Sequence, residues 1–543
     1  MIKSLENHGF KVNINKTQCI FFNTKDNISL NLNGQKVKGL DNAKYLGIII
    51  DKYLTFKEHI KSLAKKGKKS LHILAHMSGK NWGLTSMQKR RIYRNYILPK
   101  MTYGEELFDL APKKYLNTLD RIQNQALRNI SGLRKSTKIE LLHIITNIDP
   151  LHIRRKKKKL LLFTRFIRNK NNPAGKLFKQ KNNDQNDRND TQSLVNSTLM
   201  LKKKIGFFQN TIRFLDNPYP IWKLDEIKID IGITKQISKK TTKECIMKKV
   251  TEKYIDENYK EHHKMYTDAS KEANKVGVGT FNEVENNNQC LRATDRIAIT
   301  TGELIAIDRV LQMISNQQNY QHPICICTDS LGACKALRSI EDKHARPDLS
   351  LSIHKRYTNL KEKGANITIL WIPSHIGIDG NEVADRNANI GRLKDRVDIN
   401  CKLGYNEVKS MINEMVNEKI YKKEIEENTH PKIKRFTEMI PKVFGKIKME
   451  GGNKLLNRIR VGVTTFENAN TEIYCRRCKT QITIEHCIHE CKLFYKERSR
   501  LKDIFYKENK DFTNKNILNP DTTGQLENGI FKYLGAINKV FGI

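Results

Sequence analysis

Between Lys264 and Leu393 the hydrophobic period changes in an order that few folds accommodate. Lys264–Asp268, Val276–Phe281 and Cys290–Ile297 read as three extended runs in succession, the middle one alternating around glycines. Leu304, Ile307, Leu311 and Ile314 then recur at three- and four-residue steps, which marks a helix. An apolar strand at Pro323–Thr328, a short helix from Leu331 and a longer helix over Leu349–Lys363 follow, then a strand at Ile367–Ile372 and a final helix from Gly380. Strands first, and helix alternating with strand afterwards, predict an α/β sheet with an antiparallel first half.

At about 150 residues per domain, a chain of 543 residues has room for three or four domains. Residues 1–168 read as mixed but mostly helical structure: strands at Gln18–Asn23 and Tyr45–Ile50, then amphipathic helices over Phe56–Met77 and Lys114–Ile130. Residues 169–262 open on a stretch rich in Asn, Asp, Gln and Lys (Asn169–Ser197) that buries too little apolar surface to repay its ordering, so a flexible linker or connection is expected there. The sheet domain occupies 263–395 and a charged helical segment 396–465, including a helix over Tyr405–Glu427. A cysteine cluster stands in 466–500, and a basic tail without a readable motif fills 501–543.

The 99 Lys and Arg against 58 Asp and Glu leave a formal charge of +41, which suits a polyanionic partner, although a Lys-rich solvated surface gives the same count. The basic run Arg154–Lys159 has three readings: a nuclear-import signal, a phosphate-contacting patch and a solvated helix end. The solvated face ranks first. No stretch approaches the roughly 18 uninterrupted apolar residues of a membrane span, and the N-terminus has no apolar signal core. Eleven cysteines, an odd number with four crowded between Cys475 and Cys491, do not form a secreted disulfide framework. An intracellular, reducing location compatible with the nucleus is expected. Cys325 and Cys327 are expected to pack as small hydrophobes, and Trp82, Trp222 and Trp371 to pack in cores.

Chemistry concentrates in the sheet domain. Asp268 ends a strand, Glu303 opens a helix, Asp329 follows an apolar strand, and His375 and Asp385 share WIPSHIGIDGNEVADRNA. Each acid has a plain structural explanation by itself: a turn at Asp268, a capping-box partner at Glu303, a helix cap at Asp329, a solvated helix residue at Asp385. Taken together they converge on one edge of the sheet, where four anions repel and raise one another's pKa unless a cation joins them. All-oxygen ligands suit Mg²⁺ or Mn²⁺ rather than Zn²⁺, and two such ions about 3.5–4 Å apart would clamp a phosphate for hydrolysis.

In order and spacing, TDAS, GEL, TDS and WIPSHIGIDGNEVAD resemble the type 1 ribonuclease H domain. The resemblance implies a ribonuclease H-like mixed five-stranded sheet with flanking helices, and cleavage of the RNA strand of an RNA–DNA hybrid. It implies that Asp268 bridges two Mg²⁺ or Mn²⁺ ions, that Glu303 and Asp329 complete one shell, and that Asp385 holds the other ion. His375 would assist proton transfer and product release.

The first 168 residues resemble the part of non-LTR retrotransposon reverse transcriptases that follows the catalytic motif, through GFKVNINKTQCIFF, KYLGIIIDKYLTFKEHI, Trp82–Gly83, LPKMTYG and LDRIQNQALRNISG. These polymerases carry an adjacent Asp pair, and no Asp-Asp dipeptide occurs in this chain. The resemblance therefore implies a thumb- or connection-like remnant without polymerase activity, the fingers and most of the palm lying upstream of Met1.

Cys475-x2-Cys478-x7-His486-x4-Cys491 has tetrahedral Zn²⁺ spacing, with Cys487 and His489 also in reach, so that spacing leaves the third ligand open between His486 and Cys487. A set of reduced structural cysteines is the competing reading. With the preceding KLLNRIRVGVTTF, the cluster resembles the zinc knuckle found after ribonuclease H domains in some non-LTR elements, which implies Cys475, Cys478, His486 and Cys491 as ligands. Arg476 and Arg477 are placed to touch phosphates. The expected partner is nucleic acid, an RNA–DNA hybrid first and other duplexes by charge, with no membrane. The rival readings are a catalytically silent nucleic-acid-binding relic and a fragment of a longer reverse transcriptase polyprotein.

Overall fold

A computed structural model of the chain describes residues 7–9, 13–24, 28–32, 34–77, 83–169, 171–183, 194–207, 224–237, 242–316, 321–338, 346–428, 430–431, 433–434, 454–462, 464, 473–518 and 524–541. Trp82 and Trp222 lie outside them. The chain forms two compact units, the first from residues 1–160, 188–201 and 415–543, the second from 161–187 and 202–414.

The first unit opens with two hairpins, β1 (Ser29–Leu32) with β2 (Gln35–Lys38) and β3 (Asn42–Tyr45) with β4 (Ile48–Asp51). The single strand expected at Tyr45–Ile50 is thus folded back on itself. Leu46 and Gly47 turn the corner with φ of 47° and 87°, the positive values that a two-residue hairpin loop needs. The strand expected at Gln18–Asn23 reduces to one bridge, Cys19 with Gly39. Helices α1 (Lys57–His76), α2 (Ser86–Ile92), α3 (Lys113–Ser131), α4 (Ile139–Thr146) and α5 (Leu151–Arg168) follow. On α3, Leu116, Leu119, Ile122, Ala126 and Ile130 are buried at three- and four-residue steps, so the stripe visible in the sequence is the packed face.

The basic run Arg154–Lys159 corrects the reading of a solvated face. It lies on α5, and Arg155, Lys157 and Lys159 are buried. Arg154 pairs with Glu105 at 2.8 Å, Arg155 and Lys159 with Asp109, Lys157 with Asp149 at 2.6 Å, and Lys156 with Glu424 at 3.1 Å. Asp149 is close by in sequence, but Glu105, Asp109 and Glu424 stand far away, so a local scan sees mostly like charges. Buried cations keep their charge through paired carboxylates, and losing one partner strands them. Asp109→Ala is expected to destabilise this unit by about 3–5 kcal/mol in urea unfolding of the full chain. A loss under about 1 kcal/mol would show the pairs to be solvated.

The stretch expected to be a flexible linker or connection contains regular elements among its described residues: α6 (Pro173–Asn183), α7 (Leu194–Ile205) and, beyond residue 223, β5 (Ile229–Asp230) and a helix from Glu244. Residues 184–193, 208–223 and 238–241 lie outside the description. Helix α8 (Glu244–Tyr259) buries Met247, Thr251, Ile255 and Tyr259, at intervals of four that keep them on one face. Ile227, Ile233 and Ile237 are buried in the same core. Composition at Asn169–Ser197 predicted disorder, but the apolar residues after position 223 are numerous enough to dock.

The second unit holds a mixed sheet of six strands, in the order β5, β10, β9, β6, β7, β8. These are β6 (His263–Glu272), β7 (Lys275–Asn282), β8 (Asn287–Ala293), β9 (Ile324–Thr328) and β10 (Ile367–Trp371), with β5 as the sixth. The expected count was five. The extra edge strand is β5, parallel to β10 through Ile229 beside Ile369. β6, β7 and β8 pair antiparallel, whereas β9 is parallel to both β6 and β10, as the strand-first order predicts. Between and after the strands come α9 (Ile299–Ser315), α10 (Leu331–Arg338), α11 (Pro347–Glu362), α12 (Asp379–Leu393) and α13 (Tyr405–Val416). The unit continues past 395 to Glu414. Asp398 and Ile399 both donate backbone bonds to Arg292, and buried Glu407 joins the N-terminus of α9. Cys325 and Cys327 are fully buried in β9, as small hydrophobes would be.

In the first unit's C-terminal part, α14 (Lys454–Arg460), α15 (Tyr495–Lys507), α16 (Asn514–Ile517) and α17 (Gly524–Phe541) surround the cysteine cluster. The basic tail, in which no motif was readable, thus contributes helices to this part. Leu526, Ile530, Leu534 and Ile537 stripe α17 and share one core with Cys475, Cys487 and Cys491.

Candidate functional site

The carboxylates converge because strand register and helix approach are both fixed by small residues. Thr267 of β6 stands beside Thr328 of β9, so Asp268 and Asp329, one residue further on, come level at the same sheet edge. Glu303 sits just inside α9. Gly302 before it lets that helix approach β6, since a Cβ there would stand 2.8 Å from that of Ala269. One carboxylate oxygen from each of Asp268, Glu303 and Asp329 lies within 4.8 Å of the other two.

Asp385 arrives on α12, which crosses β7 at backbone contact. A Cβ on Gly277 would meet the Ala388 carbonyl at 1.9 Å, and one on Gly279 would meet that of Ala384 at 2.1 Å. The glycines that made this run alternate oddly in the sequence are therefore the seat of the helix. Across that seat Asp385 stands near enough to Asp268 for its charge to raise that carboxyl. Asn389, one turn on, donates to Asp385 Oδ1 at 3.0 Å and accepts from the Ser270 hydroxyl at 2.6 Å. The acid is thereby held from both the helix and β6.

Local capping does not account for these acids. Ser330 caps α10, its hydroxyl accepting from the Ala333 N–H at 3.2 Å, which leaves Asp329 for the cluster. The N-terminus of α9 is served by Glu407, which accepts from the Ala298 N–H at 2.7 Å and the Thr301 hydroxyl at 2.6 Å. Glu407 is itself held by Arg346 at 3.3 Å. Glu303 therefore faces Asp268 rather than a cap.

The cluster is electrostatically stressed. Asp268 and Glu303 expose only 6% and 5% of their surface. Burial, then the charges of Asp329 and Asp385, push Asp268 up to about 8. Glu303 rises well above the ordinary carboxylate range by burial and by the charges of Asp268 and Asp329. Its Oε2 is buried with no hydrogen-bond partner among the described residues. A desolvated set of hard oxygens with an idle lone pair fits a divalent cation such as Mg²⁺ or Mn²⁺.

His375 is exposed on the β10–α12 loop in the left-handed region, φ 55°. With Glu382 and Asp385 it forms a second group whose ligand atoms lie within 4.8 Å of one another. Glu382 was missed in the sequence, as were Asn389 and Glu407. For the first two the signal was present, because three- and four-residue offsets from Asp385 share its helix face. Glu407 lies more than a hundred residues after its helix and left none.

The structure brings together Cys475, Cys478, His486 and Cys491, one ligand atom each within 4.8 Å of the rest. Cys487 and His489 are not in this group, and the His489 ring instead pairs with Asn514 at 2.8 Å. His486 Nδ1 meets the Thr480 hydroxyl at 3.1 Å, while its Nε2 is buried without a partner among the described residues. Burial alone would raise the Cys475 thiol, but the N–H groups of Cys478 and Arg477 and the His486 ring bring it down to about 6. Three thiols and one oriented imidazole with an idle nitrogen fit Zn²⁺. The Trp371 indole donates to the Asp329 carbonyl at 3.1 Å, so this tryptophan packs and braces the site.

No protein-family model matches the chain. It is 28% identical over 129 residues to the RNA-directed DNA polymerase from mobile element jockey of Drosophila melanogaster, a stretch that is 23% of this chain and 14% of that protein. It is 30% identical over 125 residues to the probable RNA-directed DNA polymerase from transposon BS of the same fly, 22% of this chain and 14% of the relative. The jockey polymerase of Drosophila funebris shows 29% identity over 127 residues. The chain thus spans 14% of the length of these curated relatives.

Proposed function

We propose that this chain derives from a non-LTR retrotransposon and is a metal-dependent endonuclease that hydrolyses the RNA strand of RNA–DNA hybrids on a ribonuclease H-like domain. The observation that carries the reading is the meeting of Asp268, Glu303 and Asp329 at one sheet edge, with Asp385 near enough to act on Asp268 by its charge. The similarity to mobile-element RNA-directed DNA polymerases supports the same ancestry. A formal charge of +41 supports a nucleic-acid substrate.

Asp268, Glu303, Asp329 and Asp385 would hold two Mg²⁺ or Mn²⁺ ions, which when bound supply an activated water and neutralise charge at the scissile phosphate. The protein's own part is positional. Asn389 and Ser270 fix Asp385, and Gly277 and Gly279 seat its helix against the sheet. The exposed His375 takes or gives a proton beside the phosphate from its strained loop, with Glu382 and Asp385 at hand. Cleavage of a labelled hybrid with Mg²⁺, absent on duplex DNA and lost in chelator, tests the reading; an intact RNA strand rejects it.

The absence of an Asp-Asp dipeptide supports a chain without polymerase activity. Purified protein is expected to leave a primed RNA template unextended, and any extension overturns this point. Cys475, Cys478, His486 and Cys491 are proposed to hold a structural Zn²⁺. Titration with Co²⁺ is expected to give thiolate absorption that Cys475→Ser weakens; a flat spectrum removes the site.

A further inference from the structure

The first unit contains a cavity of about 420 Å³ walled by α3, α4 and the helical turns at Asn417–Glu426. Its occupant can be read from what the walls lack. Asn117, Asp120, Arg121 and Asn124 line it from α3 at offsets of three, four and seven, one polar stripe on a helix whose other face is core. Asn124 is 9% exposed, and its Oδ1 is buried with no hydrogen-bond partner among the described residues. One turn before it, half-buried Asp120 has only charges for company, with no hydrogen bond from the described residues.

The cavity's other carboxylates are already engaged. Glu424 accepts from His152 at 2.9 Å and Lys156 at 3.1 Å, and Glu140 accepts from the Asn428 amide at 3.5 Å. Two desolvated acceptors, one helical turn and about 5–6 Å apart, are thus left without donors in a polar cavity. A buried amide oxygen in that state costs stability unless something supplies an N–H.

We propose that this cavity binds a guanidinium group, whose planar fork of N–H donors meets Asp120 and Asn124 Oδ1 together. A single ammonium presents its donors from one point, whereas a guanidinium spreads them across two acceptors a turn apart. Ile139, Pro150 and Ile425 supply apolar wall for a methylene stem. Asp120, Glu140 and Glu424 outnumber Arg121 among the carboxylates and guanidinium lining it, although His152 and Lys156 hold Glu424 and the Arg155 charge acts on Asp120. The donor can come from a free small cation or from an arginine side chain of a peptide, and the chemistry is the same.

Agmatine and a capped tripeptide with a central arginine serve as probes, titrated calorimetrically into the full chain. Saturable binding of agmatine is expected, weakened about tenfold or more by Asp120→Asn. Asn124→Asp keeps the side-chain size and adds a charge, so it is expected to tighten binding about tenfold, which no merely structural role for Asn124 would produce. Tripeptide binding at least about tenfold tighter than agmatine identifies a protein arginine as the source, and equal or weaker binding identifies a free cation. Absence of saturable binding by either probe, or weaker binding by Asn124→Asp, overturns the proposal. Hybrid cleavage is expected to be unchanged in Asn124→Asp, so the two readings stand or fall separately.

Discussion

Asp329→Asn is expected to lower Mg²⁺-dependent cleavage of an RNA–DNA hybrid by at least about a thousandfold while raising the melting temperature in metal-free buffer. The two effects share one cause. Asp329 contributes an oxygen to the group with Asp268 and Glu303, and its charge is among the causes that raise both neighbours. On the proposed function, removing it would take a ligand from a cation worth several kcal/mol of transition-state stabilisation, and each 1.36 kcal/mol is tenfold in rate. Without the cation the same charge is a liability, because it opposes the ionisation of Asp268 and Glu303 in a dry site. Asparagine keeps the shape and removes the repulsion. Cleavage at the parental rate rejects the site; reduced cleavage with an unchanged or lower melting temperature rejects the repulsion argument.

Gly279→Val is expected to be among the most damaging substitutions that change no charge. Its Cβ would stand 2.1 Å from the Ala384 carbonyl and 2.4 Å from the Ala388 N–H, both backbone atoms of α12 that no rotamer change can move. Overpacking typically costs about 1–3 kcal/mol, and more where backbone must shift. Because α12 carries Glu382, Asp385 and Asn389, its displacement also separates Asp385 from Asp268. Cleavage should fall about a hundredfold or more even in the folded fraction, since a shift of about 1 Å at a reacting centre costs that much. The comparison is Gly364→Ala in the α11–β10 turn, where a Cβ meets nothing within 4 Å, although φ of 90° adds backbone strain. It should lower stability with cleavage by the folded fraction intact. Equal loss of cleavage in the two variants would remove the argument from close approach.

Much of this was legible before any coordinates, for reasons tied to particular residues. Glu303 and Asp329 were visible because helix starts and strand ends are short-range signals, whereas Asp268, expected to end its strand, stands inside β6, which runs on to Glu272, and Asp385 lies in the middle of α12. The antiparallel-then-alternating order of the sheet was visible too. The hairpin hidden in Tyr45–Ile50 was not, because Leu46 is an apolar residue in a conformation that propensity assigns to Gly or Asn. The sixth strand was missed because two residues, Ile229 and Asp230, carry no periodicity.

The sequence by itself determined the inventory: the four acids, the histidine, the cysteine spacing, and the alternation that makes one sheet. Only tertiary structure decided which charges meet. Arg154–Lys159 looked like a surface patch until Glu105, Asp109, Asp149 and Glu424 closed on it, and nothing in the sequence marked Glu407 as the residue that reaches α9. Period and propensity act over a few residues, whereas the sign of an electrostatic effect depends on partners that are close only after folding. A count of +41 therefore described a composition, and the fold turned part of it into internal pairs and left a knot of negative charge at the sheet edge.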